Sequence, residues 1–74
     1  MKPKLIGLCR HFSGYSQNEL AERLGQSQYA VSKYESGLLK PSPDTVRKMK
    51  EIFAENGIGI EEIDFLNNVI NKKV

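Results

Sequence analysis

Residues Ser16 to Gly37 read SQNELAERLGQSQYAVSKYESG, and the spacing within them sets out two short helices joined by a tight turn. Ser16 and Glu19 stand at the spacing of a capping box, in which hydroxyl and carboxylate each satisfy a backbone N–H that the first helical turn leaves unpaired. Leu20, Ala21 and Leu24 then recur on one helical face. Gly25 falls where that helix must stop, because glycine takes the left-handed conformation without a Cβ clash. Ser27 is placed to cap a second helix, with Val31 and Tyr34 on its inner side. The expected helices cover about Gln17–Leu24 and Gln28–Ser36, and Gly37 ends the second.

Upstream, a first helix is expected over roughly Lys4–Ser13, with Leu5, Leu8, Cys9 and Phe12 facing inward, before Gly14 and Tyr15 turn the chain. Downstream, Leu38 to Pro41 form a loop and Ser42-Pro43-Asp44 restarts a helix. Serine caps, proline suits the first helical position, and aspartate suits the positive end of the dipole. Val46, Met49, Ile52 and Phe53 make the apolar stripe of this fourth helix, which stops near Asn56-Gly57. In the tail, Ile58 and Ile60 alternate as in a strand, whereas Ile63, Leu66, Val69 and Ile70 recur with helical spacing. A fifth helix from about Ile60 to Asn71 is the preferred reading, and a strand or hairpin is the alternative. The organisation expected is one domain over 1–74, with a core over 4–56 and a C-terminal helix or tail over 58–74.

At 74 residues the chain is near the lower size limit for a single stable core. Cys9 is its one cysteine, so no internal disulfide can staple it. Stability must come from helix packing, helped by pairing with a second copy. No apolar run approaches the ~20 residues of a membrane span. The basic, then apolar start MKPKLIGLCRHF is too short in its apolar part for a secretory signal, is broken by Arg10 and His11, and precedes no small-residue cleavage site. It reads as a helix of a cytoplasmic protein.

The net charge of +2 conceals an asymmetry. Residues 1–50 carry nine Lys/Arg against four Asp/Glu, and residues 51–74 carry two against five. A basic face towards phosphate with an acidic end turned elsewhere fits that distribution; ordinary solvated surface charge is the alternative. Enzyme chemistry has almost no support. Cys9 and His11 lie two apart on a helix, so they point to different sides and cannot readily share a metal. Cys9 reads as a small core hydrophobe. No phosphate-cradling glycine loop, CxxC pair or nucleophile–base arrangement is present. Glu61, Glu62 and Asp64 suit a solvated helix start better than a cation site. No catalytic residue, metal or cofactor is expected.

Two helices joined by so short a glycine turn make a helix-turn-helix, whose second helix is the usual reader of a DNA major groove. The chain resembles the Cro/CI-type helix-turn-helix family of phage repressors and small bacterial regulators. The resemblance rests on Arg10, Ser16, Gln17, Leu20, Ala21, Leu24, Gly25, Ser27, Val31, Ser32, Tyr34, Glu35, Gly37, Pro41 and Ser42, over roughly residues 4–56. It implies an all-α, compact five-helix, lambda-repressor-like DNA-binding domain with the helix-turn-helix at helices 2–3. The resemblance also implies that Gln17 donates to phosphate, and that Arg10 and Glu35 form a partly buried ion pair between helices one and three. Arg10 is a phosphate candidate as well.

The residues of the second helix give a consistent reading. Gln28, Tyr29, Ser32 and Lys33 lie away from Val31 and Tyr34 and are the expected base contacts. A glutamine amide can pair with adenine N6 and N7, and lysine with guanine O6 and N7. Ser27 at the helix start, with Ser36 at its last position and Lys40 just beyond, are phosphate candidates. For each, the alternative is a merely solvated surface, which is also the reading of Lys2, Lys4, Lys48 and Lys50. The expected function is sequence-specific binding of a double-stranded DNA operator by a transcription regulator of phage or prophage type, working as a repressor by occupancy near the nucleoid. A homodimer would read two half-sites about 34 Å apart, since one short domain covers too few bases. Phe65, Val69 and Ile70 are the expected dimer or partner interface, with core packing as their alternative. A second reading makes the chain chiefly a protein binder, such as an anti-repressor, a modulator of a phage switch or an antitoxin, with a repressor or toxin as partner.

Overall fold

Every helix boundary in the computed structural model, which describes residues 1–72, has a local cause. α1 spans Pro3–Phe12, with proline in its first turn where its missing N–H costs nothing. α2 spans Gln17–Leu24 and begins on a complete capping box: the Glu19 N–H donates to Ser16 Oγ at 3.0 Å, and the Ser16 N–H donates to Glu19 Oε1 at 2.9 Å. Gly25, at φ 70°, ends it in the left-handed conformation. α3 spans Gln28–Ser36, capped by Ser27 Oγ at its start and by Gly37, at φ 82°, at its end. α4 spans Pro43–Glu55 and is capped by Ser42 Oγ. α5 spans Ile60–Asn71, with the Gly59 N–H donating to Glu62 Oε1 at 2.8 Å.

All five elements are helices, and no strand occurs among the described residues. The tail is therefore helical rather than a strand or hairpin; residues 73 and 74 of the expected tail lie outside the described residues. The first helix begins one residue earlier than expected and ends one earlier, because Ser13 serves as its C-cap and donates its N–H to Cys9 O.

The core draws on the first four helices: Leu5, Ile6 and Cys9 from α1, Leu20, Ala21 and Leu24 from α2, Val31 and Tyr34 from α3, and Met49, Ile52 and Phe53 from α4. Burial pushes the Cys9 thiol up to about 11, since the thiolate would be poorly solvated there. α5 contributes no fully buried residue. Its Ile63, Leu66 and Ile70 lean on the core from outside.

Two expectations for α1 are corrected. Phe12 is 58% exposed rather than inward, and Leu8 is only half-buried. Ile6, which the sequence reading left out, is fully buried in their place. Leu5, Ile6 and Cys9 cluster on the side of α1 that meets α2–α4, while Leu8 and Phe12, four residues apart, share the flank turned to α5. Val46, expected on the apolar stripe of α4, is half-buried at its rim.

Candidate nucleic-acid interface

The packing of α3 decides what it leaves free. Val31 and Tyr34 are buried, so the opposite side of the helix faces outward. Gln28, Ser32 and Ser36, at successive four-residue steps, form one exposed row. Tyr29, 70% exposed, and half-buried Lys33 form a second row beside it. Lys33 Nζ sits 4.9 Å from the centroid of the Tyr29 ring, a cation–π arrangement at helical i,i+4 spacing. The two rows unite all four expected base contacts and Ser36 on one helix side. The Ser36 hydroxyl is turned back to donate to Lys33 O at 3.2 Å.

Ser27, at the start of α3, is exposed, and its Oγ accepts from the Ala30 N–H at 3.1 Å. Its hydroxyl therefore already holds one of the helix-start donors, and the others point out along the axis. Lys40 is exposed in the loop between α3 and α4.

A polar junction holds α3 in place from behind. Arg10 Nε donates to Glu35 Oε2 at 2.6 Å and Nη2 donates to Glu35 Oε1 at 3.2 Å, a two-pronged pair between α1 and α3. Arg10 Nη1 donates to Tyr15 O at 2.9 Å, so the same guanidinium also pins the turn into α2. The side chains of Arg10 and Glu35 are 19% and 13% exposed. Gln17, the first residue of α2, donates from Nε2 to Glu35 Oε1 at 3.2 Å. Glu35 thus gathers side chains from α1 and α2 onto α3. Gly7 makes room for it: a Cβ at that position would lie 3.3 Å from Glu35 Oε1.

A second junction was not foreseen from the sequence. The buried Tyr34 hydroxyl donates to Gln26 Oε1 at 2.7 Å, and Gln26 Nε2 donates to Thr45 Oγ1 at 3.1 Å. The turn between the two helices is thereby tied both to α3 and to the start of α4. The only sequence signal was a glutamine inside the turn, between Gly25 and Ser27, beside a tyrosine whose hydroxyl needs a partner once buried.

The expected interface residues lie elsewhere. Phe65 and Val69 of α5 are 67% and 52% exposed, whereas Ile70 packs against the core.

The family model described as Helix-turn-helix matches residues 13–58, from the end of α1 to the start of the tail. The chain belongs to this family, that of the Cro/CI-type helix-turn-helix domains. No curated protein and no solved structure matches the chain. The match covers α2, α3 and α4 with their turns, so the exposed polar side of α3 is that of the second helix of a helix-turn-helix. Membership supports a DNA-binding regulator from a family that generally works without catalysis. Among the described residues of this helix-turn-helix protein, no helix is long and apolar enough to cross a membrane.

Proposed function

We propose that this helix-turn-helix protein is a sequence-specific, double-stranded DNA-binding transcription regulator that acts as a repressor by occupancy. The reading rests on one observation: Gln28, Tyr29, Ser32 and Lys33 share the side of α3 that the core leaves uncovered. Laid in a major groove, Gln28 at the start of the helix offers an amide to adenine N6 and N7. Lys33 offers an ammonium to guanine O6 and N7. The Tyr29 ring, beneath the ammonium, is sized to meet a thymine methyl. Ser27, Lys40 and the amide hydrogen of Gln17 that Glu35 leaves free border this surface as phosphate donors that set the register of the helix on the duplex, and Ser36 joins them by turning its hydroxyl away from the Lys33 carbonyl. Arg10 holds the scaffold, since Glu35 and the Tyr15 carbonyl already engage its guanidinium. A homodimer would read two half-sites, doubling the bases covered by so short a domain. A phage or prophage setting and a place near the nucleoid are what the resemblance to phage repressors implies.

Selection of bound sequences from a random DNA pool tests the reading. The expected result is a palindrome with half-sites about one DNA turn, roughly 34 Å, apart. A pool that emerges without sequence preference would overturn it.

A second reading is favoured by the exposed Phe12, Phe65 and Val69. In it the domain works chiefly by gripping another protein, as an anti-repressor or antitoxin does. Salt separates the two: groove binding weakens with added salt through counterion release, while an apolar protein contact does not.

A further inference from the structure

Gln26 sits in the turn between α2 and α3 with its backbone and its side chain both engaged. Its N–H donates to Ala21 O at 2.9 Å, a bond that closes α2 behind Gly25. Its amide accepts from the buried Tyr34 hydroxyl of α3 at 2.7 Å and donates to Thr45 Oγ1 of α4 at 3.1 Å. The Ser42 hydroxyl donates to Thr45 Oγ1 at 3.0 Å, and the Thr45 N–H donates to Ser42 Oγ at 3.1 Å. A chain of hydrogen bonds therefore runs from the inner side of α3, through the turn, to the residue that caps α4. Among the described residues Gln26 is the one hydrogen-bond partner of the Tyr34 hydroxyl. A glutamine amide suits the place because it carries an acceptor and a donor at the end of one arm.

These bonds span a gap that packing leaves. α3 packs on α1 and α2, and α4 packs on α2, while the backbones of α3 and α4 hardly approach each other. Between them runs the loop 38–41, on which Lys40 is exposed. Its near end is fastened to α3: the N–H groups of Leu38 and Leu39 both donate to Lys33 O, at 3.0 and 3.2 Å. Its far end leads into Ser42, where the bonds from Gln26 arrive. One anchor of the loop is thus the helix that carries Gln28, Tyr29, Ser32 and Lys33, the other is the start of α4, and Gln26 ties the two together.

We propose that Gln26 is a positioning residue of the DNA interface, holding the Lys40 loop where a phosphate is met while α3 meets the base edges. This rests on the reading of the protein as a DNA binder and adds to it a residue that acts from behind the surface. A base contact and a backbone contact reinforce each other only when both fit one duplex at once. A loop free to swing loses that freedom on binding, and its contact is weakened by the loss.

Two variants of the full chain test the role. Gln26→Met keeps the reach of the side chain and removes both of its bonds. Gln26→Met combined with Tyr34→Phe and Thr45→Val also removes the groups left stranded, so its thermal midpoint is expected within about 3 °C of wild type. In the free, folded protein, NMR order parameters of the Leu39 and Lys40 amides are expected to fall from about 0.85 in wild type to below about 0.6 in both variants. With an operator taken from the selected pool, fluorescence anisotropy is expected to show binding about tenfold weaker near physiological salt, and a slope of log K against log salt shallower by about 0.9 per protomer. That is the loss expected of Lys40→Ala, so adding Lys40→Ala to Gln26→Met is expected to change little further. Mere support of the fold would lower the competent fraction without moving the slope. Loop order parameters or a salt slope equal to wild type in the triple variant would overturn the proposal, as would a Lys40→Ala effect that simply adds to that of Gln26→Met. Those results leave the DNA reading standing, whereas a wild type that binds no duplex removes that reading and the positioning role with it.

Discussion

Ser13 carries a hydroxyl that folding removes from water without replacing the lost hydrogen bonds: its Oγ is buried and has no partner among the described residues. The residue is needed for its backbone, whose N–H closes α1 and whose carbonyl accepts from Asn56 Nδ2 at 2.7 Å. Alanine keeps both and drops the stranded oxygen, so Ser13→Ala is expected to stabilise the fold by about 1 kcal/mol. Urea unfolding measures it, and a lower midpoint would mean that the hydroxyl contributes. At the same scale, Gln28→Ala is expected to cost about 1–3 kcal/mol at one operator position and to relax preference there. Equal losses on every sequence would contradict a base contact and point to phosphate instead. The two residues differ in how far the sequence exposes them. Gln28 follows from a capping serine and helical spacing, whereas the burial of Ser13 comes only with the packed fold, in which its carbonyl meets Asn56, 43 residues away.

Between helices, the Arg10–Glu35 pair asks whether charge or packing fixes α3. Both side chains are partly buried, so losing one partner leaves the other poorly solvated. Arg10→Met or Glu35→Met alone is expected to cost about 2–3 kcal/mol, while the double variant is expected to cost clearly less than the sum. A double-mutant cycle in urea gives the coupling, and strict additivity would show that the charges do not act as a unit. The cap residues respond to acid. Hydrogen bonds from the Ser16 backbone and then its side chain hold the Glu19 carboxyl below its usual range, and the Arg47 hydrogen bond and charge do the same for Asp44. A lowered folded-state pKa means that the unfolded chain takes up its proton first as pH falls. These contributions are therefore present above the ordinary carboxylate range of about 4 and are lost as pH drops through the folded values. Unfolding midpoints followed from pH 6 downward are expected to fall less steeply in Glu19→Gln than in wild type; parallel curves would remove Glu19 from the account. Caps of this kind act within four residues, which is why the limits of α2 and α3 and the start of α4 were legible in the sequence, whereas α5 was read from the recurrence of its apolar residues. The facing of Phe12 was not, because helical spacing places Leu8 and Phe12 on a common flank without saying whether another helix covers it.

For the whole molecule, the charge asymmetry visible in the sequence divides into local uses that limit how strongly salt can act. Of the cations in the first fifty residues, Arg10 is engaged by Glu35, Arg47 pairs with Asp44 and Glu51, and Lys48 lies 3.7 Å from Asp44. Lys4 lines a groove between α1 and α5 that includes Leu8 and Val69 and none of Gln28, Tyr29, Ser32 and Lys33. Around the polar side of α3 the proposed phosphate donors Gln17, Ser27 and Ser36 are neutral, so hydrogen bonds from them would displace no counterion. Lys33, on that side of α3, and Lys40, in the loop that follows it, are the cations proposed to meet the duplex. With Lys33 placed at a base edge and Lys40 at the backbone, few phosphates are neutralised per protomer, so the slope of log K against log salt is expected to be shallow for a specific DNA binder. Lys40→Ala is expected to make the slope of a dimer shallower by about 1.8, roughly 0.9 for each protomer, while leaving base preference unchanged, because a phosphate contact carries no sequence information. Binding isotherms on a selected operator from 50 to 300 mM salt, an interval chosen on the order of that used for such slopes, measure both quantities. A slope steeper than about −7 would require further cations, such as Lys4, Lys48 or Lys50, to touch the backbone as well, and the duplex would then have to wrap around the protein beyond α3 and its flanking loop.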